Sequence, residues 1–429
     1  MLKITLVIAA LLQCVFLRAQ DCECYAPTRQ TAVRMMEKKE YAKALKLLRA
    51  ADTCPDKPSD NDLAAKMQEC RRAIRKEQER IEAGKRGVNL SARGTANCYV
   101  ISKAGTYSFP TVKGNSTVSV GNVSRAEVLW ESFGTSTEPS TGDIIQSVSY
   151  AAGSGSSTGT ITFSTPSTLK NGNAVIAAKD ASGKILWSWH IWVCSGYNPV
   201  ATAQTYYNNA GTMMDRNLGA TSATPGDVGA LGLLYQWGRK DPFLGSSSIS
   251  SSTQANSTLS WPSPVSSDSS NGKVAYAVAH PTTFIRKNSK NYDWYYTGSS
   301  STDNTRWQSS KTIYDPCPPG WKVPGGGSSG VWSKAAGSSS SFSYSWNSTN
   351  KGMNFSGKFG SAGTIWYPAA GCLDYDDGSL KYVGYSGYSW SCTPSDDDAY
   401  SLSLNYNGNV YLSNYYYRAS GRSVRCLQE

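Results

Sequence analysis

The last stretch of the chain, Gly384–Cys426, constrains the fold more than any other part of the sequence. Two segments of alternating polar and apolar residues, Ala399–Tyr406 and Asn409–Tyr415, flank the dipeptide Asn407-Gly408. Asn-Gly between such segments is the strongest short-range signal for a β-hairpin, because both residues tolerate positive φ angles. The sequence therefore predicts a C-terminal hairpin in a sheet that buries one face.

Alternation assigns the hairpin side chains to two faces. Leu402 and Leu404 share one face, where Val410 and Leu412 can meet them across the strand pair. The other face is predicted to point outward and carries Ser401, Ser403, Asn405, Asn409, Tyr411 and Ser413. One face would then be core and the other a display surface.

The N-terminus has the pattern of a secretory signal peptide. Lys3 gives a positive start, residues 4–12 are apolar, and Ala19-Gln20 is a suitable cleavage region. We therefore predict a signal peptide over residues 1–20 and a secreted or cell-surface protein. A lipid anchor at Cys14 is the alternative, which the large Gln13 before it disfavours. No internal apolar run approaches the roughly 20 residues that span a membrane.

Length, charge and cysteine content set the domain organisation and the compartment. A chain of 429 residues predicts several domains. The formal net charge of +11 is concentrated near the N-terminus, and we do not expect a nucleic-acid partner for an exported protein. Ten cysteines remain after residue 20, and an even number in an exported chain indicates disulfides.

Residues 21–86 are predicted to form a short helical region stapled by disulfides. An apolar stripe at helical spacing is formed by Tyr41, Ala44, Leu45 and Leu48. Glu40–Ala51 with Pro55 resembles the second helix of a tetratricopeptide repeat and covers about one repeat. Since such arrays need about three repeats, disulfides would have to replace the missing ones. Three connectivities are open for Cys22, Cys24, Cys54 and Cys70.

Residues 87–200 favour a small β-sandwich, because short alternating runs recur along them. One face of the last run is lined by Trp187, Trp189, Ile191 and Val193. Trp192 lies on the opposite face. Cys98 near the first strand and Cys194 after the last are predicted to clasp the sandwich by a disulfide.

Five ordered motifs within residues 201–429 carry a family resemblance. They are MMDRNLGA (Met213–Ala220), GLLYQWGRKDPF (Gly232–Phe243), YDPCPPGWKVP (Tyr314–Pro324), GYSWSCTPS (Gly387–Ser395) and RASGRSVRC (Arg418–Cys426). Together they resemble the FISUMP family, the Fibrobacter succinogenes major paralogous domain. The resemblance implies an α+β fold of the C-type-lectin-like kind, found in surface proteins of Bacteroidetes and relatives. Some of these are fimbrial-tip or adhesin-like proteins.

The resemblance also implies cysteine pairings. Cys317 and Cys426 both occur in the family pattern, so a disulfide between them is the first expectation. Cys392 departs from the pattern, in which serine is usual, and Cys372 is its expected partner as an additional disulfide.

The composition of the terminal stretch resembles that of lectin-like proteins diversified by retroelements. Residues 386–417 contain 7 Tyr, 7 Ser, 4 Asn and 3 Asp. Tyr, Ser and Asn also dominate antibody paratopes, because Tyr contributes large contact area at low entropic cost. An ordinary polar β-surface would show the same composition, so diversification is left open. The predicted binding residues are Tyr388, Trp390, Tyr400, Asn405, Asn409, Tyr411, Tyr415, Tyr416 and Tyr417, with Tyr400 the weakest because alternation places it on the leucine face.

Catalytic patterns are scarce. The chain has two histidines, His190 and His280, and His190 is expected to be structural. Residues 155–159 match G-x-S-x-G but lack the strand–turn–helix context of a hydrolase nucleophile. Asp374–Gly378 lacks the glycine position and the Glu of an EF-hand loop. We therefore predict no enzyme activity, no cofactor and no metal site at these residues. Calcium binding through other loops, to which Asp396–Asp398 could contribute, is left open.

The sequence thus predicts a multidomain protein comprising a disulfide-stapled α-helical region (21–86), a β-sandwich (87–200) and an α+β C-type-lectin-like domain (201–429). The expected function is non-enzymatic binding or adhesion to an extracellular protein or glycan through the last domain. A structural role among fimbrial or envelope proteins is the alternative. A glycan-active enzyme is the least favoured hypothesis.

Overall fold

The computed structural model describes residues 23–154, 158–289, 291–299, 301–337, 342–357, 359–361 and 363–429, with the backbone alone over 79–86. The predicted signal peptide, Cys14 and Cys22 lie outside the described residues, as do residues 155–157 of the G-x-S-x-G match. The chain divides into two compact units, Met1–Arg86 and Gly87–Glu429. The first is helical, and the second is mostly strands in several small sheets.

The helical unit contains α1 (Tyr25–Glu37), α2 (Tyr41–Asp52) and α3 (Leu63–Arg86). Its core includes the predicted apolar stripe, in which Ala44 and Leu48 are fully buried and Tyr41 and Leu45 pack beside them. The periodicity therefore predicted the buried face of α2. No helix among the described residues has the length and apolar character needed to cross a membrane.

A disulfide joins Cys24, just before α1, to Cys54, just after α2, with 5.8 Å between their Cα atoms. Of the cysteines considered for this region, Cys70 is buried in the same core. The bond closes a segment of 30 residues around the first two helices. It selects one part of the connectivity that the sequence left open.

The second unit begins with eight strands in two four-stranded sheets. They are β1 (Val88–Asn89), β2 (Cys98–Ile101), β3 (Thr106–Pro110), β4 (Arg125–Ser132), β5 (Ser147–Ala151), β6 (Thr160–Ser164), β7 (Gly172–Lys179) and β8 (Ile185–Val193). One sheet has the order β1-β3-β6-β5 and the other β2-β8-β7-β4. Side chains of both sheets, including Phe109, Phe163, Ile176 and Trp189, form one shared core.

The sheet containing β8 is buried on both faces. Facing the core shared by the two sheets are Trp187, Trp189, Ile191 and Val193, as alternation predicts. Trp192 points the other way, into a second core that also contains Tyr235 and Trp390. Residues on both sides of position 200 therefore contribute side chains to one core.

Cys98 and Cys194 are both buried but form no disulfide, so the predicted clasp is wrong. β2 runs parallel to β8, with Cys98 opposite His190. Cys194 follows four residues after His190, which places it about 13 Å further along the strand at ~3.3 Å per residue. A disulfide needs Cα atoms within about 7 Å. The prediction would have required antiparallel strands.

The rest of the unit consists of many short elements. The helices are α4 (Val274–Ala279) and α5 (Val331–Ala336), with one 3₁₀ turn at Val228–Ala230. The strands up to the terminal sheet are β9 (Gln204–Tyr206), β10 (Gly211–Met213), β11 (Tyr235–Gln236), β12 (Val265–Ser266), β13 (Ile285–Arg286), β14 (Trp321–Lys322), β15 (Phe342–Asn347), β16 (Gly352–Gly357), β17 (Ile365–Pro368), β18 (Cys372–Leu373) and β19 (Leu380–Lys381).

The terminal sheet has the order β20-β21-β22 and is followed by two short strands. Their bounds are β20 (Ser386–Ser395), β21 (Asp398–Asn405), β22 (Val410–Tyr417), β23 (Gly421–Arg422) and β24 (Leu427–Gln428). β23 belongs to the sheet β11-β23-β18-β19, and β24 to β14-β24-β10-β9. The chain end thus links three sheets.

The predicted hairpin forms between β21 and β22, with Leu404 opposite Val410. Its turn is longer than a two-residue loop, because the amide of Asn405 donates to the carbonyl of Asn409 at 3.0 Å. Gly408 adopts a φ of 81° there. The Asn405 side chain accepts from the amides of Asn407 at 3.1 Å and Asn409 at 3.2 Å, which fixes the turn.

Both faces of β21 are buried, in contrast to the predicted display surface. Leu402 and Leu404 lie in a core with Val410 and Leu412 packed beside them, as predicted. Ser401 and Ser403 on the opposite face are also buried, and the Arg422 side chain of β23 contacts that face by donating to Ser401 Oγ. The outward orientation predicted for these two serines is therefore wrong.

The predicted disulfide between Cys317 and Cys426 is confirmed, with 6.1 Å between the Cα atoms. Cys372 and Cys392 are buried thiols, so their predicted pairing is wrong. Cys372 lies in β18, next to Leu373, which pairs with β23. The amide of Cys392 instead donates to the carbonyl of Pro324 at 2.8 Å. The two cysteines therefore have different neighbouring segments.

Candidate functional site

The outermost strand of the terminal sheet, β22, carries the exposed part of the predicted binding surface. The sheet order gives β22 a strand neighbour on one side only, so it is an edge strand. Tyr411 and Tyr415 on it are 52% and 56% exposed, and Asn409 immediately before it is also exposed. Three predicted binding residues are therefore accessible to a partner.

Five further predicted binding residues are half-buried, namely Tyr388, Tyr400, Asn405, Tyr416 and Tyr417. Strand register divides the tyrosines between the two faces of the sheet. Tyr400 lies opposite Tyr415, and the next pair is Ala399 with Tyr416. The rings of Tyr400 and Tyr415 meet edge to face, with centroids 6.2 Å apart. The predicted residues thus surround the edge strand and do not form one flat face.

Trp390 cannot be a ligand contact. Its side chain is 0% exposed and lies in a core with Tyr235, Trp237 and Val424. Its indole Nε1 donates to the carbonyl of Tyr235 at 2.9 Å, so its polar atom is satisfied inside the protein. The segment around Ser423 pairs alongside β20 at this position, since its carbonyl accepts from the Trp390 amide at 2.9 Å.

Arg422 on β23 lies beneath the sheet face that carries Tyr388 and Tyr416. Its guanidinium carbon is 4.3 Å from the Tyr388 ring centre, 4.1 Å from that of Tyr416 and 4.8 Å from that of Trp390. Its Nη1 donates to Ser401 Oγ at 2.8 Å, whereas its buried Nε has no hydrogen-bond partner. No carboxylate among the described residues lies within ion-pair distance, 4.0 Å, of this guanidinium.

The electrostatic surroundings of this site raise several pKa values. Burial, and then the neighbouring Asp397, raise the pKa of Asp398 to about 6. Burial also raises the pKa of Tyr416 to about 12, although the positive charge of Arg422 opposes that shift. Both tyrosines over Arg422 therefore stay protonated at neutral pH and can act as hydrogen-bond donors.

A second aromatic group adjoins the end of β22 and was not predicted. Tyr417 stacks on Tyr292 with ring centroids 3.9 Å apart, and Tyr375 meets Tyr417 edge to face at 4.6 Å. The Lys287 ammonium lies 5.1 Å from the ring centres of both Tyr292 and Tyr375. The three tyrosines come from distant parts of the chain, and no sequence spacing relates them.

A buried charge network fixes the base of this region. Arg306 donates to both oxygens of Asp293, and Arg418 lies 3.5 Å from one of them. All three side chains are 0% exposed. Arg418 also donates to the carbonyls of Asp396 and Asp398, at 2.7 Å each, and so holds the turn between β20 and β21. The sheet that displays the tyrosines is thereby tied to a rigid interior.

The acidic loop Asp374–Gly378 is arranged as a turn around a lysine. Lys381 makes ion pairs with Asp374 at 3.2 Å and Asp377 at 3.3 Å. Asp374 and Asp377 also accept hydrogen bonds from backbone amides of the loop itself. An ammonium group therefore already neutralises two of the three carboxylates.

One set of potential metal ligands occurs within the described ranges, Cys24, Cys54 and Asp56. Its two sulfurs are joined to each other, so neither is a free thiolate ligand. His190 is buried, and burial lowers its pKa to about 3. Its Nε2 lies 2.9 Å from Asn173 Oδ1, which gives it a structural hydrogen bond.

No known protein family, curated protein or solved structure matches this chain. The FISUMP resemblance and the lectin-like fold stay predictions that rest on the five motifs.

Proposed function

We propose that the protein is an exported, non-enzymatic binding protein that recognises an extracellular ligand through the terminal sheet. The observation that carries the proposal is the edge strand β22, which presents Tyr411 and Tyr415 to solvent on a rigid base. Exposed aromatic residues held by a fixed scaffold provide large contact area with little loss of entropy on binding.

Two further features support this proposal. The described residues contain two disulfides, which are compatible with an extracellular protein. The five FISUMP-like motifs lead us to expect a lectin-like recognition domain, and three of them, around Trp237, Cys317 and Arg418, contribute to the buried base of the sheet.

The experiment measures adhesion of the purified protein to a panel of extracellular-matrix proteins, cell surfaces and glycans. We expect the double variant Tyr411→Ala, Tyr415→Ala to bind at least tenfold more weakly than the unmodified protein. Two exposed aromatic anchors that are buried by a partner typically contribute at least this much. Circular dichroism should show an unchanged fold, since both rings are mostly in solvent.

The matched control is Tyr344→Ala on β15, a residue that is 43% exposed and lies outside the terminal sheet. It removes an exposed tyrosine of similar accessibility without touching β22. Equal binding by the double variant and the unmodified protein would reject the site. An equal loss in the control would show that the effect is not specific to this sheet.

An assembly role is the second candidate, because an edge strand offers unpaired backbone groups to a strand of another protein. In this case β22 would pair with a fimbrial or envelope protein. The variant Ser413→Pro, at a half-buried position of β22, would block the addition of a partner strand. Retained co-purification of envelope proteins with this variant would exclude the second candidate.

A further inference from the structure

The buried guanidinium of Arg422 has fewer hydrogen-bond or ion-pair partners than those of Arg239, Arg306 and Arg418. Arg306 and Arg418 share the carboxylate of Asp293. Arg239 donates to the carbonyl of Thr283 and to three other backbone carbonyls nearby. Arg422 has one serine hydroxyl as its hydrogen-bond partner, and its Nε has none. A buried charge without a counter-charge is unfavourable unless something else neutralises it.

Arg425 provides an instructive contrast, since its Nε and one Nη also lack partners. Its guanidinium lies 3.7 Å from the ring centre of Tyr367, which is buried. The rings over Arg422, Tyr388 and Tyr416, are half-buried and reach the surface. Arg422 therefore differs from Arg425 in being covered by rings that are partly exposed.

We infer that the terminal sheet binds an acidic sugar residue whose carboxylate docks on Arg422 between Tyr388 and Tyr416. This inference rests on the proposed function and specifies the class of ligand. A carboxylate accepts two parallel hydrogen bonds from one edge of a guanidinium, and the buried Nε of Arg422 has no hydrogen-bond partner on its edge. The hydroxyl of Tyr416 makes no hydrogen bond within the described chain, so a rotation of this ring can open that edge.

The surrounding groups favour a sugar over an acidic peptide. Tyrosine rings flank the site and can pack against the apolar face of a pyranose ring. Polar side chains adjoin it, since Asn414 Nδ2 donates to Ser403 Oγ at 3.1 Å on the same sheet face. These amide and hydroxyl groups match the hydroxyls of a uronic acid, whereas an acidic side chain of a peptide would leave them unused.

The test compares binding of the full-length protein to three acidic polysaccharides, polygalacturonate, alginate and hyaluronan, and to fully methyl-esterified polygalacturonate. We expect at least one of the three acidic polymers to bind. If polygalacturonate binds, its methyl ester should bind at least tenfold more weakly. Direct substitution of the buried Arg422 could unfold the protein, so the decisive variant is Asn414→Asp. Asn414 is half-buried and lies opposite Ser401, the partner of Arg422.

Asn414→Asp supplies an internal carboxylate beside Arg422, and we expect it to weaken binding of the acidic polymer at least tenfold. The matched control is Asn347→Asp, a half-buried residue of β15 outside the terminal sheet that changes the net charge equally. It should stay within twofold of the unmodified protein. Equal binding by both variants would overturn the inference, and so would binding to none of the acidic polymers.

Two other outcomes separate this inference from the proposed function. Polyglutamate that binds as tightly as the polysaccharides, with the same sensitivity to Asn414→Asp, would overturn the assignment to a sugar. A neutral ligand that binds through Tyr411 and Tyr415 but ignores Asn414→Asp would overturn the role of Arg422. The proposed binding function would stand in both cases.

Discussion

Removal of the Cys317–Cys426 disulfide should destabilise the second unit by an amount that depends on the number of residues between the two cysteines. The bond joins residues 109 positions apart, and it ties the loop before β14 to the residue before β24. The loop-entropy relation gives about 4.8 kcal/mol for a closed loop of this size at 25 °C. Both sulfurs are fully buried, so the variant Cys317→Ala, Cys426→Ala also loses packing, which adds about 1 kcal/mol.

The disulfide of the helical unit gives an internal comparison. Cys24 and Cys54 are separated by 30 residues, for which the same relation gives about 3.6 kcal/mol. Because the two bonds lie in different compact units, each double alanine variant should affect one unit only. The prediction therefore specifies both the size of each effect and its location in the chain.

Differential scanning calorimetry and urea unfolding of the full-length protein would measure these effects. Far-ultraviolet helical signal follows the first unit, and tryptophan fluorescence follows the second, because all 13 tryptophans lie after residue 86. Loss of the longer bond should lower the transition seen by fluorescence. The prediction is wrong if loss of Cys317–Cys426 lowers the free energy of the fluorescence transition by less than about 1 kcal/mol. It is also wrong if removing either disulfide shifts both transitions equally.

Three other perturbations test the interior. Asp315 is fully buried, and burial raises its pKa from 3.8 to about 6. Its contribution to the free energy of unfolding is therefore complete below about pH 4 and is lost as the pH rises through 6. Asp315→Asn should remove a pH dependence of about 3 kcal/mol from the free energy measured by urea unfolding. Trp390→Ala should cost about 3–5 kcal/mol of stability, whereas Tyr411→Ala should cost less than about 0.5 kcal/mol in the same assay. Asp293→Asn leaves two buried guanidiniums without their carboxylate and should destabilise by about 3–5 kcal/mol, measured by thermal unfolding.

Local patterns predicted local structure well. The helical spacing around Leu48 identified the buried face of α2, and the alternation around Trp189 identified the face of β8 that enters the shared core. Asn407-Gly408 located the hairpin. Each of these signals depends on a period of 3.6 or 2 residues, which is encoded within a few turns or pleats of the chain.

Predictions that depended on which strands are neighbours were less successful. The clasp at Cys98 failed because β2 and β8 are parallel, a property that no local pattern encodes. The prediction of an outward face failed at Ser401, which is buried and contacts the side chain of Arg422 from a later part of the chain. The Cys317–Cys426 pairing succeeded because the family resemblance carried long-range information that periodicity lacks.

The role of Arg422 could not be predicted for the same reason. Nothing in the sequence neighbours of Arg422 within RASGRSVRC marks it as buried. The tertiary structure brings the Arg422 guanidinium to Tyr388, Tyr416 and Ser401, which lie on three different strands. A charged residue in a polar segment is usually exposed, so the composition of the segment argued against burial.

The contrast between β22 and the other two strands of the terminal sheet restricts where sequence variation can be accommodated. Along β20 and β21, side chains such as Trp390 and Leu402 are fully buried, so substitutions there would disrupt the core. On β22, the exposed Tyr411 and Tyr415 can be replaced with little effect on stability. If the terminal stretch is diversified, the structure confines tolerated changes largely to β22 and the preceding turn. The surrounding framework, including Arg422, would then supply a fixed charge beneath a variable surface.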